Sequence, residues 1–155
     1  MDRRRGSPQG GPLSFGTHRF GVEEVEFLLT PAEKRRTGRP AEPILRPDAH
    51  ITCHGINPPQ TITERTVRVS NQFLANSMLT IGRPTWLCAP ASKTLTGTPG
   101  APPAPMNHHY LCYDVKPTQR FRQRRVTIRN QFEKQDYIVI GPRLLCVPST
   151  KKLLQ

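Results

Sequence analysis

The sequence predicts a mainly β protein: two duplicated four-stranded units, sandwich- or barrel-like, behind a poorly ordered N-terminal segment bearing a short helix. Three observations lead there. The 155 residues include 17 Pro and 11 Gly, a content that interrupts long helices and favours short strands and turns. Apolar residues make up only 35% and fall in short runs, several of which alternate with polar residues as half-buried strands do. A segment of roughly 44 residues in the middle of the chain recurs near its end. The length holds one domain or two very small ones. The longest aliphatic runs, such as Tyr137-Ile138-Val139-Ile140, are strand-length and far short of the ~18–20 apolar residues of a membrane span.

The recurrence is detailed. At an offset of 59, His50, Cys53, Arg65, Val67, Asn71, Gln72, Phe73 and Ile81 fall on His109, Cys112, Arg124, Val126, Asn130, Gln131, Phe132 and Ile140. After Gly82 the offset drops to 58 because Arg83 has no counterpart, and Pro84, Leu87, Cys88, Pro90 and Lys93 fall on Pro142, Leu145, Cys146, Pro148 and Lys151. The first repeat therefore spans 50–94 and the second 108–152.

Each repeat reads as four strands, near 50–56, 63–70, 78–82 and 85–89 in the first and 109–115, 123–129, 136–141 and 143–147 in the second. Val67 and Val69 alternate with Thr66, Arg68 and Ser70, as Val126 and Ile128 do with Arg125, Thr127 and Arg129. Asn-Gln-Phe closes each second strand, with Asn suited to a turn and Phe73 and Phe132 expected as buried anchors. Pro84 and Pro142 mark the approach to each last strand, since a missing donor is tolerated at a strand start or edge. Residues 95–107 are Pro-rich and read as an exposed linker. Within residues 1–49, the part from Met1 to Gly21 is basic and rich in Gly, Pro and Ser, and is expected to be disordered. The run from Val22 to Leu29 fits a strand or a helical turn. Thr30-Pro31-Ala32-Glu33 matches a capping box, which predicts a short helix near 31–37 stopped by Gly38.

The four cysteines sit two per repeat, 35 residues apart for Cys53 and Cys88 and 34 for Cys112 and Cys146. Four cysteines allow three connectivities, and the duplication singles out pairing within each repeat. Modules of this size have too little core to be secure without a staple, so disulfides Cys53–Cys88 and Cys112–Cys146 are expected. Free buried thiols are one alternative. A Cys2His metal site in each repeat, built on His50-x-x-Cys53 and His109-x-x-Cys112, is another, with His54 as a fourth ligand in the first repeat alone. No CxxC pair of the usual structural zinc kind occurs, so neither a metal nor a cofactor is expected.

The formal net charge of +12 is unevenly spread. Residues 1–49 carry +2, residues 50–94 carry +3 and residues 95–155 carry +7. The excess centres on Arg120-Phe121-Arg122-Gln123-Arg124-Arg125, where alternation sends Arg125, Thr127 and Arg129 to one outward face. Arg120, Arg122, Arg125 and Arg129 are thus the candidate contacts for an acidic polysaccharide or another polyanion. A solvated face kept for solubility is the plainer reading of the same residues.

The repeated motif, His-x-x-Cys, then Arg-x-Val-x-aliphatic-x-Asn-Gln-Phe, then Leu-Cys-x-Pro-x-x-Lys, resembles a cysteine-bracketed repeat domain of unknown function. That family occurs in predicted secreted proteins of myxobacteria and related bacteria, often in tandem. The resemblance covers roughly residues 48–152 and is best in the second repeat, at His109, Cys112, Tyr113, Val126, Gln131, Phe132, Leu145, Cys146 and Pro148. The first repeat departs at His54, where an aromatic is usual, and the family's export signal is missing. The resemblance implies an extracellular β module and supplies no catalytic residue.

Catalysis has little to stand on. Nucleophilic chemistry needs Cys or Ser with a positioned His and an orienting acid. Acids in the repeats are only Glu64, Asp114, Glu133 and Asp136, and no HExxH or Gly-rich phosphate loop occurs. The expectation is a non-catalytic module, structural or adhesive, secreted or at the cell surface. The alternative is an intracellular basic protein binding nucleic acid, with Phe121 and Tyr137 as stacking residues. Met1-Asp2-Arg3-Arg4-Arg5 has the charge of a signal peptide's first part but no apolar stretch after it. The cysteines favour export, with the start of the reading frame truncated or misassigned.

Overall fold

Residues 15–94 and 108–154, the part of the chain described by a computed structural model, form nine strands and no helix. In chain order these are β1 (Gly21–Leu29), β2 (Glu33–Arg36), β3 (His50–Asn57), β4 (Arg65–Val69), β5 (Ser77–Ala91), β6 (His109–Pro117), β7 (Arg124–Arg129), β8 (Lys134–Val139) and β9 (Leu144–Ser149). All pairings are antiparallel, and the two sheets do not close into a barrel. The larger sheet has the order β1-β3-β5-β6-β9, with β4 beside the first half of β5. The smaller has the order β2-β7-β8. The predicted linker at 95–107 and the basic stretch at 1–14 lie outside the described part.

Within the larger sheet, directly opposed residues face the same side. One face gathers Ile56, Leu79, Ile81, Leu87, Leu111, Tyr113 and Val115 into the main apolar cluster, covered by Phe15, Phe20, Val67, Val69 and Val147. Each such aliphatic side chain, taken fully out of water, contributes about 1.5–3 kcal/mol. The other face carries the cysteines. Cys53 stands directly opposite Cys88, and Cys112 opposite Cys146, so each disulfide joins adjacent strands at a paired position with Cα atoms 4.0 Å apart. Each lies within its own repeat, as the spacing predicts. On the chain-entropy model a bridge across a loop of this length is worth roughly 3–4 kcal/mol. Phe27, Ile51, Trp86 and Tyr110 cover Cys53, Cys88 and Cys112. Trp86 meets Phe27 edge-on at 5.5 Å and donates its indole N–H to Glu26 at 2.6 Å.

The repeats do not form equivalent four-stranded units. In the second, β6 pairs with β9 and β7 with β8, but β8 belongs to the smaller sheet and β9 to the larger. In the first, the two expected last strands merge into β5, 15 residues long, which pairs with β3 at one end and β4 at the other. The cause lies at Gly82-Arg83-Pro84. Three steps along β5, from Ile81 to Pro84, match two along β6, from Val115 to Tyr113, so the strand absorbs Arg83 as a bulge and carries on. Pro84 therefore sits inside a central strand, tolerated because the register shifts on both sides of it. The second repeat has only Gly141-Pro142 here. Gly141 takes φ +149°, open to glycine alone among common residues, and the chain leaves the sheet.

Two further expectations are corrected. No helix forms near 31–37, and the N-terminal segment is not without order from Gly21 onward: the chain there is β1 and β2, and Glu33 bonds to Arg129 rather than capping a helix. Nor are the phenylalanines of Asn-Gln-Phe core anchors. Phe73 is half-buried and Phe132 is 67% exposed, because the Asn turn, not the Phe, closes each strand. Asn71 Oδ1 accepts from the N–H groups of Phe73 and Leu74 at 2.8 and 2.9 Å, and Asn130 Oδ1 from those of Phe132 and Glu133 at 2.8 and 3.0 Å. The alternation itself holds: Val67, Val69 and Ile128 are half-buried and Val126 buried.

These assignments separate residues by cost. Leu79→Ala is expected to lose about 2–5 kcal/mol in urea denaturation, whereas Phe132→Ala stays within about 0.5 kcal/mol. A large loss at Phe132 would restore it to the core.

Candidate polyanion-binding site

Strand β2 holds alternating faces because its period is two. Lys34 and Arg36 turn toward the first repeat. Lys34 donates to Gln72, meets Glu42 at 2.8 Å and lies 5.2 Å above the Phe73 ring. Arg36 reaches Glu42 at 3.5 Å and the Gln72 carbonyl at 3.3 Å. Backbone bonds between Lys34 and Glu42, 3.3 and 2.7 Å, close the loop behind them. Glu33 and Arg35 take the opposite face. There β2 pairs with β7, setting Glu33 against Arg129 and Arg35 against Thr127.

This docking makes a cleft. Two adjoining hollows of about 430 and 370 Å3 share Arg36, Thr37, Arg39 and Arg125. Arg35 lines the first, and Arg122 and Arg124 line the second. Gly38, at φ +72°, turns the chain between Arg36 and Arg39, whose N–H bonds the Arg36 carbonyl at 3.0 Å. Arg35, Arg39, Arg122, Arg124 and Arg125 have no ion pair or side-chain hydrogen bond to any described residue. The one carboxylate lining the cleft among the described residues, Asp136, accepts from the Thr127 hydroxyl at 2.7 Å. Uncompensated guanidinium groups, of Arg35, Arg39 and Arg125 around the first hollow and of Arg39, Arg122, Arg124 and Arg125 around the second, raise the local positive potential and present planar donors suited to phosphate, sulfate or carboxylate.

Of the residues picked from the sequence, Arg125 and Arg122 line the cleft. Arg120 is exposed on the same β6–β7 loop but lines neither hollow. Arg129 shares the face of Arg125 but is paired with Glu33 at 2.6 Å. Sequence reasoning missed Arg35 and Arg39, and passed over Arg124 within the basic run it singled out. The basic run Lys34-Arg35-Arg36 was a visible signal, but a helix there would not have presented it to β7. The metal alternative fails on chemistry: all four cysteines are in disulfides, and no group of three His, Cys, Asp or Glu among the described residues could hold a metal ion. No helix among the described residues is long and apolar enough to cross a membrane.

Residues 50–153 match the family model described as a repeat of unknown function, DUF7450. The chain belongs to that family. No curated protein and no solved structure matches the chain. The DUF7450 match takes in both repeats and both disulfides, but it stops short of β1 and β2. One wall of the arginine cleft is therefore built by residues outside the family's matched region.

The anchoring of β2 depends on pH. Glu42 is held below the usual carboxylate range by the hydrogen bond from Lys34, which outweighs an opposing burial penalty, and the charges of Lys34 and Arg36 add to the lowering. A carboxyl lowered in the folded state adds stability above its unfolded pKa, and that stability is lost as pH falls through the lowered value. Denaturation midpoints should therefore drop less steeply below about pH 4 in Glu42→Gln than in the parent. Identical acid limbs would show that the pair anchors nothing.

Proposed function

We propose that this chain is a non-catalytic, disulfide-stapled β module of the cell exterior that holds an acidic polysaccharide along its arginine cleft. One observation carries the reading: Arg35, Arg39, Arg122, Arg124 and Arg125, from segments far apart in the sequence and unpaired to any described residue, line two adjoining hollows whose one described carboxylate is already bonded. Clustering like charges costs Coulomb energy that no described carboxylate offsets, and an anionic ligand would remove that cost. The strand geometry suits a repeating anion. Outward residues two apart on β7 are about 6–7 Å from each other, and β2 runs about 4.8 Å to the side. Two disulfides favour an oxidising compartment. The resemblance to tandem repeats of secreted bacterial proteins points the same way.

Single-stranded nucleic acid is the second reading, on the strength of Phe73, whose half-buried ring lines the second hollow beside Arg122 and Arg124.

Binding to heparin, measured by calorimetry, is expected to weaken steeply with salt as condensed counterions cease to be a driving force. An Arg35→Ala, Arg125→Ala double variant should lose about ten- to a hundredfold, or about 1.4–2.8 kcal/mol. An Arg68→Ala, Arg143→Ala variant, with the same change in net charge away from the cleft, should stay close to the parent. Equal losses in the two variants would reduce the effect to overall charge and end the proposal. A preference for oligodeoxythymidylate that Phe73→Ala abolishes would put nucleic acid in the polysaccharide's place.

A further inference from the structure

We propose a second binding site, for a single-chain anionic amphiphile, in the groove between the arm at residues 15–22 and the tail at residues 147–154. The groove encloses about 670 Å3, inside the 300–1,000 Å3 range of small-molecule sites. It shares no residue with the arginine cleft. Its floor is the main apolar face of the larger sheet, where Leu87, Leu111 and Tyr113 are 8%, 7% and 3% exposed. Phe15 and Phe20 wall one side, and the Phe15 ring packs on Tyr113 at 5.1 Å. Val147, Leu153 and Leu154 wall the other, and the two leucines are 81% and 61% exposed. Apolar surface left this open beside an apolar groove is what an alkyl chain lying there would cover.

The polar groups decide the head. Arg19, Lys151 and Lys152 line the groove and no Asp or Glu does. None of the three cations is ion-paired to a described residue. His18 adds a further polar group: its Nε2 is shut off from solvent without a hydrogen-bond partner, with the ring edge-on to Tyr113 at 6.5 Å. A buried nitrogen left unpaired is costly. An acyl chain on the apolar floor with a carboxylate or phosphate near Lys151 and Lys152 satisfies both halves of the site.

The test compares dodecanoate, dodecyl maltoside and dodecyltrimethylammonium by calorimetry on the full chain, each below its micelle concentration. Dodecanoate should bind one saturable site at least tenfold more tightly than the other two. Lys151→Glu with Lys152→Glu should weaken dodecanoate at least tenfold and leave the maltoside unchanged. Leu153→Asp with Leu154→Asp should weaken both. Heparin affinity should survive the leucine changes, which separates this site from the arginine cleft. All four positions are exposed, and near-ultraviolet circular dichroism of Trp86 checks that the fold persists. The proposal is overturned by no saturable dodecanoate binding, by equal affinity for the three heads, or by binding indifferent to either pair of substitutions. Binding only to anionic vesicles, with none to monomeric dodecanoate, overturns it as well.

Discussion

The larger sheet depends on the pairing of β5 along both of its edges. That strand meets β3 and β4 end to end on one side and β6 on the other, so the two repeats share one sheet only through it. Its long backbone is satisfied by three neighbours, and the apolar side chains of β5, Leu79, Ile81 and Leu87, form the middle of the main cluster. The disulfides flank this spine. One ties β5 to β3, the other ties β6 to β9, and the sulfurs of Cys88 and Cys112 touch at 3.5 Å across the β5–β6 seam. Covalent bonds and ladder hydrogen bonds thus alternate across four adjacent strands. A small module gains twice from this: the unfolded chain is constrained, and the folded sheet is covered on its cysteine face by Trp86, Phe27 and Tyr110.

Duplication supplied the pairing scheme, and one residue changed its outcome. Gly82 and Gly141 occupy the same place in the two repeats, yet only Gly141 has positive φ. At Gly82 a Cβ would lie 3.3 Å from the Asp114 carbonyl, so glycine there serves close approach of β5 to β6. At Gly141 it serves a bend. In the second repeat the β7–β8 hairpin lies outside the larger sheet, and β2 pairs along the outer edge of β7. The arginine cleft formed there has no counterpart on β4.

Charge follows the same division. The repeat that bends carries most of the basic excess, and β2 with the turn after it brings Arg35 and Arg39 to it. Anchoring is selective: Lys34 and Arg36 share Glu42 and Arg129 pairs with Glu33, while the five arginines around the cleft are left bare. Carboxylates thus fix the strand that presents the arginines without quenching them.

Spacing and alternation alone determined the duplication, the cysteine partners, the β class and the inward side of Val67, Val69, Val126 and Ile128. Those features are local or periodic, and equal spacing in two copies singles out pairing within each copy. Tertiary structure decided the rest. Glu33–Arg36 reads locally as the start of a helix, and only the otherwise unpaired edge of β7, in the other half of the chain, makes it a strand. Whether Gly-Arg-Pro continues a strand or Gly-Pro ends one was settled by β6, against which the extra residue could bulge. Which arginines stand free was settled by where two glutamates landed. Each of these outcomes depends on a partner distant in sequence, and backbone hydrogen-bonding groups carry no residue code that names their partner in advance.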